Sequence, residues 1–149
     1  MLDNLKKKLG EKITSEIVKA NRIWIGVDPE NIVDSANVAK EVGFDQVISV
    51  SGTDFPDDKQ FEVMYHVASL GDKKNRNIVL ALSTRIPRDE PNISSLYNIW
   101  RSCEWHERET HEMLGIVFEG HPELGRVLLP EDWNEIPPLR KDYVLPGRD

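Results

Sequence analysis

Three runs of β-branched and aromatic residues, QVISVSGT (46–53), FEVMYHVASL (61–70) and NIVLALST (77–84), follow one another with only short polar breaks. Side chains of these types pack well on a pleated, half-buried surface, so runs at this spacing predict neighbouring strands. GDKKNR, between the last two, is polar and opens with glycine, which predicts an antiparallel hairpin with a long turn. Upstream, RIWIGV (22–27) predicts a further strand. Asp28-Pro29 then starts a helix, Asp as cap and Pro in the first turn, that runs to about Val42 and stops at Gly43. Leu2, Leu5, Leu9, Ile13 and Ile17 recur at steps of three and four and predict an opening amphipathic helix with lysines on its other face. The expected fold is therefore α+β: a mixed or antiparallel sheet with packed helices.

Length and charge narrow the functions open to such a fold. The 149 residues suit one domain able to bury its own core. Acidic residues exceed basic ones, 26 to 19, and a net charge of −7 repels phosphate backbones, so nucleic acid is an unexpected partner. No run of about 18 apolar residues occurs, so no direct membrane span is expected. A lone cysteine, Cys103, precludes an internal disulfide and a four-cysteine zinc or iron–sulfur site within these residues.

CEWHERETHEMLG (103–115) carries the most specific pattern. Ser94 or Ser95 is placed to cap a helix in which Leu96, Trp100, Cys103, Thr110 and Leu114 keep a four-three rhythm with one vacancy, filled by Glu107. At roughly 100° per residue Glu107 lies mid-stripe, whereas Trp105 lies on the opposite, charged side with Arg101, Arg108 and Glu112. A core-facing carboxylate costs several kcal/mol, on the order of a buried unpaired charge, unless a donor from another segment meets it. Trp and Arg together on an outer face are the residue types enriched at the centres of protein interfaces. Glu104, Arg108 and Glu112, at successive steps of four, also fit a plain solvated ion-pair ladder. Beyond Gly115, GIVFEGHPELGRVLLPEDW predicts a strand or two with tight turns, and Pro137-Pro138 forbid a regular helix near the end. Residues 1–130 are thus read as the domain and 131–149 as an extended, proline-containing docking arm.

Catalytic constellations are weak. His106, His111 and His121 are the basis of an alternative reading as a small metal-dependent enzyme, but His106 and His111 are five apart and diverge by about 140° on a helix, unlike a His-Glu-x-x-His pair. Cys103 falls on the apolar stripe, where a buried thiol is expected rather than a nucleophile. Neither glycine-rich phosphate motif is present. A stand-alone protein adaptor is the other alternative.

ERETHEMLGIVFEGHPELGRVLLP (107–130) resembles the signature of the 30-kilodalton subunit family of respiratory complex I and related energy-converting membrane-bound NiFe hydrogenases. Glu107, Arg108, Glu109, Glu112, Met113, Leu114, His121, Val127 and Leu128 align with that pattern. Gly125 departs from it, standing where a basic residue or proline is wanted beside Arg126, and Leu129 intervenes before Pro130. GFDQVISVSGTDFP, FEVMYHVASL, Pro91 to Trp100 and PLRKDY extend the likeness over roughly residues 40 to 145. LLPEDW, and the chain's end soon after RKDY, are more similar to short ferredoxin-linked relatives and energy-converting hydrogenases. The resemblance implies a non-catalytic scaffold subunit in the hydrophilic arm of a ferredoxin- or NADH-linked quinone reductase or a membrane-bound hydrogenase. It implies no cofactor in this chain, with iron–sulfur clusters, and NiFe in the hydrogenase branch, held by partner subunits. Those partners would be the large hydrogenase-like (49-kilodalton-type) subunit and its iron–sulfur neighbours, in a peripheral position on the cytoplasmic side of the cell membrane. Under this reading Glu107 is a structural buried acid. Trp105, Arg108, Glu109, Glu112, His121, Arg140, Lys141 and Asp142 are the expected partner interface.

Overall fold

A computed structural model describes residues 1–148. Its element order is α1 (Leu2–Leu9), β1 (Ile13–Lys19), β2 (Arg22–Val27), α2 (Ile32–Glu41), β3 (Gln46–Phe55), β4 (Gln60–Ala68), β5 (Val79–Pro87), β6 (Asn92–Ser94), α3 (Glu104–Leu114) and β7 (Val117–Glu119). Five strands form one mixed sheet in the order β1-β2-β5-β4-β3, with β2 and β5 parallel and the other neighbours antiparallel. β6 and β7 make a separate short parallel pair. The expected β4–β5 hairpin is present, Ala68 facing Val79 across the polar turn. None of the helices among the described residues is long and apolar enough to cross a membrane.

Period-two alternation sets the core. Ile23, Ile25 and Val27 of β2, Leu80, Leu82 and Ile86 of β5, and Phe61, Val63, Tyr65 and Val67 of β4 are all buried, and the registers place them on one face. Leu5 and Leu9 of α1 and Ile32, Ala36 and Ala39 of α2 complete the same apolar cluster. Trp100, 2 % exposed, closes it and donates its indole N–H to Phe44 O at 2.9 Å. Burying a side chain of this size contributes about 1.5–3 kcal/mol.

Two expected helices are shorter than their periodicity suggested. The opening helix ends at Leu9, because Gly10 takes φ 53°, and Ile13 and Ile17 belong instead to β1. Ile13, Thr14, Ile17 and Val18 are β-branched, and a two-residue turn at Ala20–Asn21 folds them onto β2, where Ile17 faces Trp24. The helix expected from Ser94 or Ser95 begins only at Glu104, after a single 3-10 turn at Arg101–Cys103. Leu96 and Trp100 keep their inward positions from a turn-rich approach. After β7, residues 120–148 hold no helix or strand.

Candidate functional site

α3 carries chemically distinct features on its two sides. On the inner side Cys103, Glu107, Thr110 and Leu114 are buried. Gly52 of β3 permits the close approach of this face: a Cβ there would collide with Leu114 Cδ1. Glu107 is fully buried. It accepts from Tyr65 Oη at 2.7 Å, from the Leu96 N–H at 2.8 Å and from Ser95 Oγ at 2.5 Å. One carboxylate thus ties the approach segment and β4 to the helix. Burial first, and the Glu107 charge second, hold the Tyr65 phenol well above its ordinary range. The same two causes push the Cys103 thiol up, so it stays a thiol at neutral pH.

On the outer side Trp105 is 59 % exposed, and the Arg108 guanidinium lies 4.6 Å from its ring centroid. Arg108 is itself buried and reaches Gly125 O at 3.4 Å, while its Nε has no acceptor among the described residues. One turn on, Glu112 accepts three backbone N–H groups, from Val127 at 3.1 Å and from Leu128 and Leu129 at 2.8 Å. Burial opposes its charge, but these donors and nearby Arg126 outweigh it and hold the carboxyl below its usual range. The loop so held runs along α3 and turns Val127 and Leu128 outward, 41 % and 59 % exposed. Glu109 is exposed one turn from Trp105. No ion pair joins Glu104, Arg108 and Glu112 among the described residues, so the ladder reading gives way to an aromatic stack and a loop clasp.

The histidines do not converge. His111 Nδ1 donates to Ile116 O at 2.7 Å. His121 accepts from the Glu123 N–H at Nδ1, which assigns the proton to Nε2, 3.0 Å from Glu104 O. No group of three or more potential metal ligands forms among the described residues, so His106, His111 and His121 are not gathered into one. His121 packs against Tyr97, ring centroids 5.9 Å apart, rather than standing out on the surface.

RKDY folds back on its own domain. Arg140 Nε donates to Leu114 O at 2.7 Å, an unsatisfied helix-end carbonyl, and its guanidinium would meet any Cβ added at Gly115, whose φ is 78°. The Lys141 N–H donates to Asp54 Oδ2 at 2.9 Å. Arg88 spans Asp54, through Nε and Nη2 at 2.9 and 3.0 Å, and Asp142 at 2.9 Å. Burial opposes the Asp54 charge, yet Arg88 and the Lys141 N–H hold its carboxyl below the ordinary range. Arg140, Asp142 and the main chain of Lys141, expected at the partner interface, bond within the chain, as does Glu112, while the Lys141 side chain is exposed. The arm is a clasped strap. It leaves Leu139, Val144 and Leu145 exposed.

Residues absent from the sequence-based interface include Asp54, Arg88, Ser95 and Tyr65. Asp54 had a signal: it alternates with Val50 and Gly52 in the inward set of β3, so an acid stands at a core-facing position there too.

Residues 25–149 match the family model described as respiratory-chain NADH dehydrogenase, 30 Kd subunit. The chain belongs to this family. The C subunit of F(420)H(2) dehydrogenase from Methanosarcina mazei is 37 % identical over 145 residues, spanning 96 % of this chain and 89 % of that protein. The C subunit of NADH-quinone oxidoreductase from Mycolicibacterium gilvum is 32 % identical, spanning 99 % of this chain and 67 % of that protein. Its counterpart in Nocardia farcinica is also 32 % identical, and this chain spans 58 % of its length. Among solved structures, one polypeptide of the membrane-bound sulfane sulfur reductase, an archaeal respiratory membrane complex, shares the fold with TM-score 0.84 at 21 % identity, spanning 97 % of this chain and 84 % of that one. A trypsin-resistant fragment of Nqo5 aligns at TM-score 0.65 and 25 % identity, spanning 83 % and 96 %.

Proposed function

We propose that this 30-kilodalton-family chain is a non-catalytic scaffold subunit of a membrane-bound, complex I-like oxidoreductase. The outer side of α3 docks the large hydrogenase-like subunit of the hydrophilic arm, beside its iron–sulfur neighbours. The observation that carries the reading is Trp105: more than half exposed, stacked on a buried guanidinium, and set beside a loop clasped so as to present Val127 and Leu128. A rigid aromatic anchor with an apolar flank is the composition of an interface centre, and prior ordering of the loop lowers the entropy lost on docking. The names of the relatives, subunits of F(420)H(2) dehydrogenase and of NADH-quinone oxidoreductases, support membership in such an assembly. Redox groups, iron–sulfur clusters and NiFe where the enzyme is a hydrogenase, belong to the partners, and the chain sits peripherally on the cytoplasmic side of the membrane. Glu107, Asp54 and Glu112 serve docking indirectly, by fixing the helix, the strap and the loop.

The test is copurification of the tagged protein from its native membranes. Trp105→Ala combined with Leu128→Asp is expected to lose the large subunit while the melting temperature of the isolated protein falls by only a few degrees, about the shift that 1 kcal/mol gives a domain of this size. Retention of that subunit at wild-type stoichiometry overturns the reading.

A further inference from the structure

The two edges of the five-stranded sheet are finished differently. Along β3, α3 and the turn before it lie against the strand: Ser102 Oγ accepts the Val47 N–H at 3.1 Å, and Thr110 Oγ1, which donates to His106 O at 2.9 Å, sits 3.4 Å from Val50 O. β1 pairs with β2 alone, and six of its seven residues are exposed. A two-residue hairpin makes Lys19 and Arg22 a mutually hydrogen-bonded pair, and the alternation that follows aims the N–H and C=O groups of Val18 and Glu16 away from β2. These groups have no partner within the sheet.

Such an edge is a template for another strand, and stand-alone proteins blunt it with proline, a bulge, charged side chains or a covering loop. β1 carries two charges, of which Glu16 is taken up by Lys6 and Lys19 alone is left without an ion-pair partner among the described residues. β1 has no proline, and its one register shift lies at its start, between Ile13 and Ser15. The remaining stretch is regular and shows an apolar side chain to each side, Ile17 at 57 % and Val18 at 45 % exposure. Its charge is distinctive. Residues 1–24 hold six basic and three acidic side chains, a net +3, while the remainder holds 13 basic and 23 acidic, a net −10. Lys6, Lys8 and Lys12 are paired with Glu16, Glu41 and Asp34. Lys19 and Arg22, at the hairpin end of the edge, have no ion-pair partner among the described residues; Lys19 rests over the Trp24 ring. α1 and β1 also precede the residues that the family model matches.

We propose that the open edge of β1 receives an extended, acidic segment of a partner subunit as a sixth strand. Main-chain hydrogen bonds to Glu16 and Val18 supply affinity, and Lys19 and Arg22 select the charge. A second copy of this chain is disfavoured as occupant because it brings the net positive residues 1–24 of one copy against the same region of the other. The proposal rests on the reading that the chain works within an assembly, but not on Trp105 or on which subunit that residue contacts.

Hydrogen–deuterium exchange with residue-level fragmentation tests it, comparing the native assembly with the isolated protein. The amides of Glu16 and Val18 should exchange at least tenfold more slowly in the assembly, while those of Ile17 and Lys19, already bonded to β2, change little. A photo-crosslinker at position 18 should join an acidic segment of another subunit, and Lys19→Glu with Arg22→Glu should remove both the crosslink and the slowing. Equal exchange at Glu16 and Val18 in the two samples overturns the proposal. So does a crosslink to a neutral or basic segment, or to a second copy of the chain. Loss of the large subunit in the Trp105 variant is read separately, so the docking reading and the strand addition can fail independently.

Discussion

Glu107 and Glu112 sit five residues apart on one helix, both buried, and they do different work. Glu107 faces the sheet and is met by two side-chain hydroxyls and one backbone N–H from other segments. Glu112 faces the loop that covers the outer side and is met only by backbone N–H groups from Val127 to Leu129. The first acid closes the core, so its loss leaves polar groups with nowhere to turn. The second organises a surface, so its loss frees groups that water can satisfy. Equal burial therefore does not mean equal structural consequence: what decides it is whether the donors left behind can reach solvent.

The largest expected effect follows on the inner side. Glu107→Ala strands the Tyr65 hydroxyl and the Leu96 N–H in an apolar environment, and should lower unfolding free energy by about 3–5 kcal/mol, the range for breaking a buried charged network. Urea denaturation of the isolated protein measures it; a loss below about 1 kcal/mol would put Glu107 in the same class as a surface acid. Asp54→Ala comes next. It removes the acceptor of Arg88 and of the Lys141 N–H, but Arg88 is partly exposed and can hydrate, so about 2–3 kcal/mol is expected. Faster amide exchange at Lys141 would confirm that the strap has come loose with it.

How much of this was legible in the sequence depends on how far apart the partners lie. β2 to β5 follow from local alternation, and the outward Trp105 and inward Glu107 follow from helical phase, because both signals sit within a few residues. The end of α1 did not follow: Ile13 and Ile17 extend the helical rhythm, and only pairing with β2 turns them into a strand. The early helix start at Ser94 or Ser95 failed for a related reason. Ser95 does use its hydroxyl on a later N–H, that of Tyr97, but its proton is drawn to Glu107, which holds residues 95 and 96 outside any helix. Asp54 and Lys141 are 87 positions apart, so no spacing rule could show that the arm's RKDY bonds to β3 of its own chain.

On the outer side Glu112→Ala should cost only about 1–2 kcal/mol, since Val127, Leu128 and Leu129 can turn their N–H groups to water. Exchange at those three amides should quicken while the core amides of β4 hold, which separates a freed loop from a weakened fold. Acid sharpens the same contrast. The carboxyls of Glu112 and Asp54 lie below their ordinary values of 4.5 and 3.8 in the folded protein, so their stabilisation is present above those values and is lost as pH falls through the lowered ones. The stability gap between wild type and Glu112→Gln should therefore shrink as pH drops below about 4.5, read from urea midpoints. A gap independent of pH would mean that the three N–H groups do not prefer the ionised form.

Trp105→Ala sets the lower limit of the series. The indole is more than half exposed, so its removal forgoes the stack on Arg108 and a modest contact area, about 0.5–1 kcal/mol at an exposed site. The Arg108 guanidinium keeps its hold on Gly125 and gains access to water, which offsets part of even that. If α3 divides as its two acids suggest, this smallest change in folding should accompany a large drop in the amount of large subunit that copurifies, whereas a milder inner-side change, Ser95→Ala, should lower the urea midpoint and leave assembly at permissive temperature intact. A Trp105→Ala protein whose melting falls as far as that of Glu107→Ala would place the indole within the core network, and the outer side would lose its claim to be a docking surface.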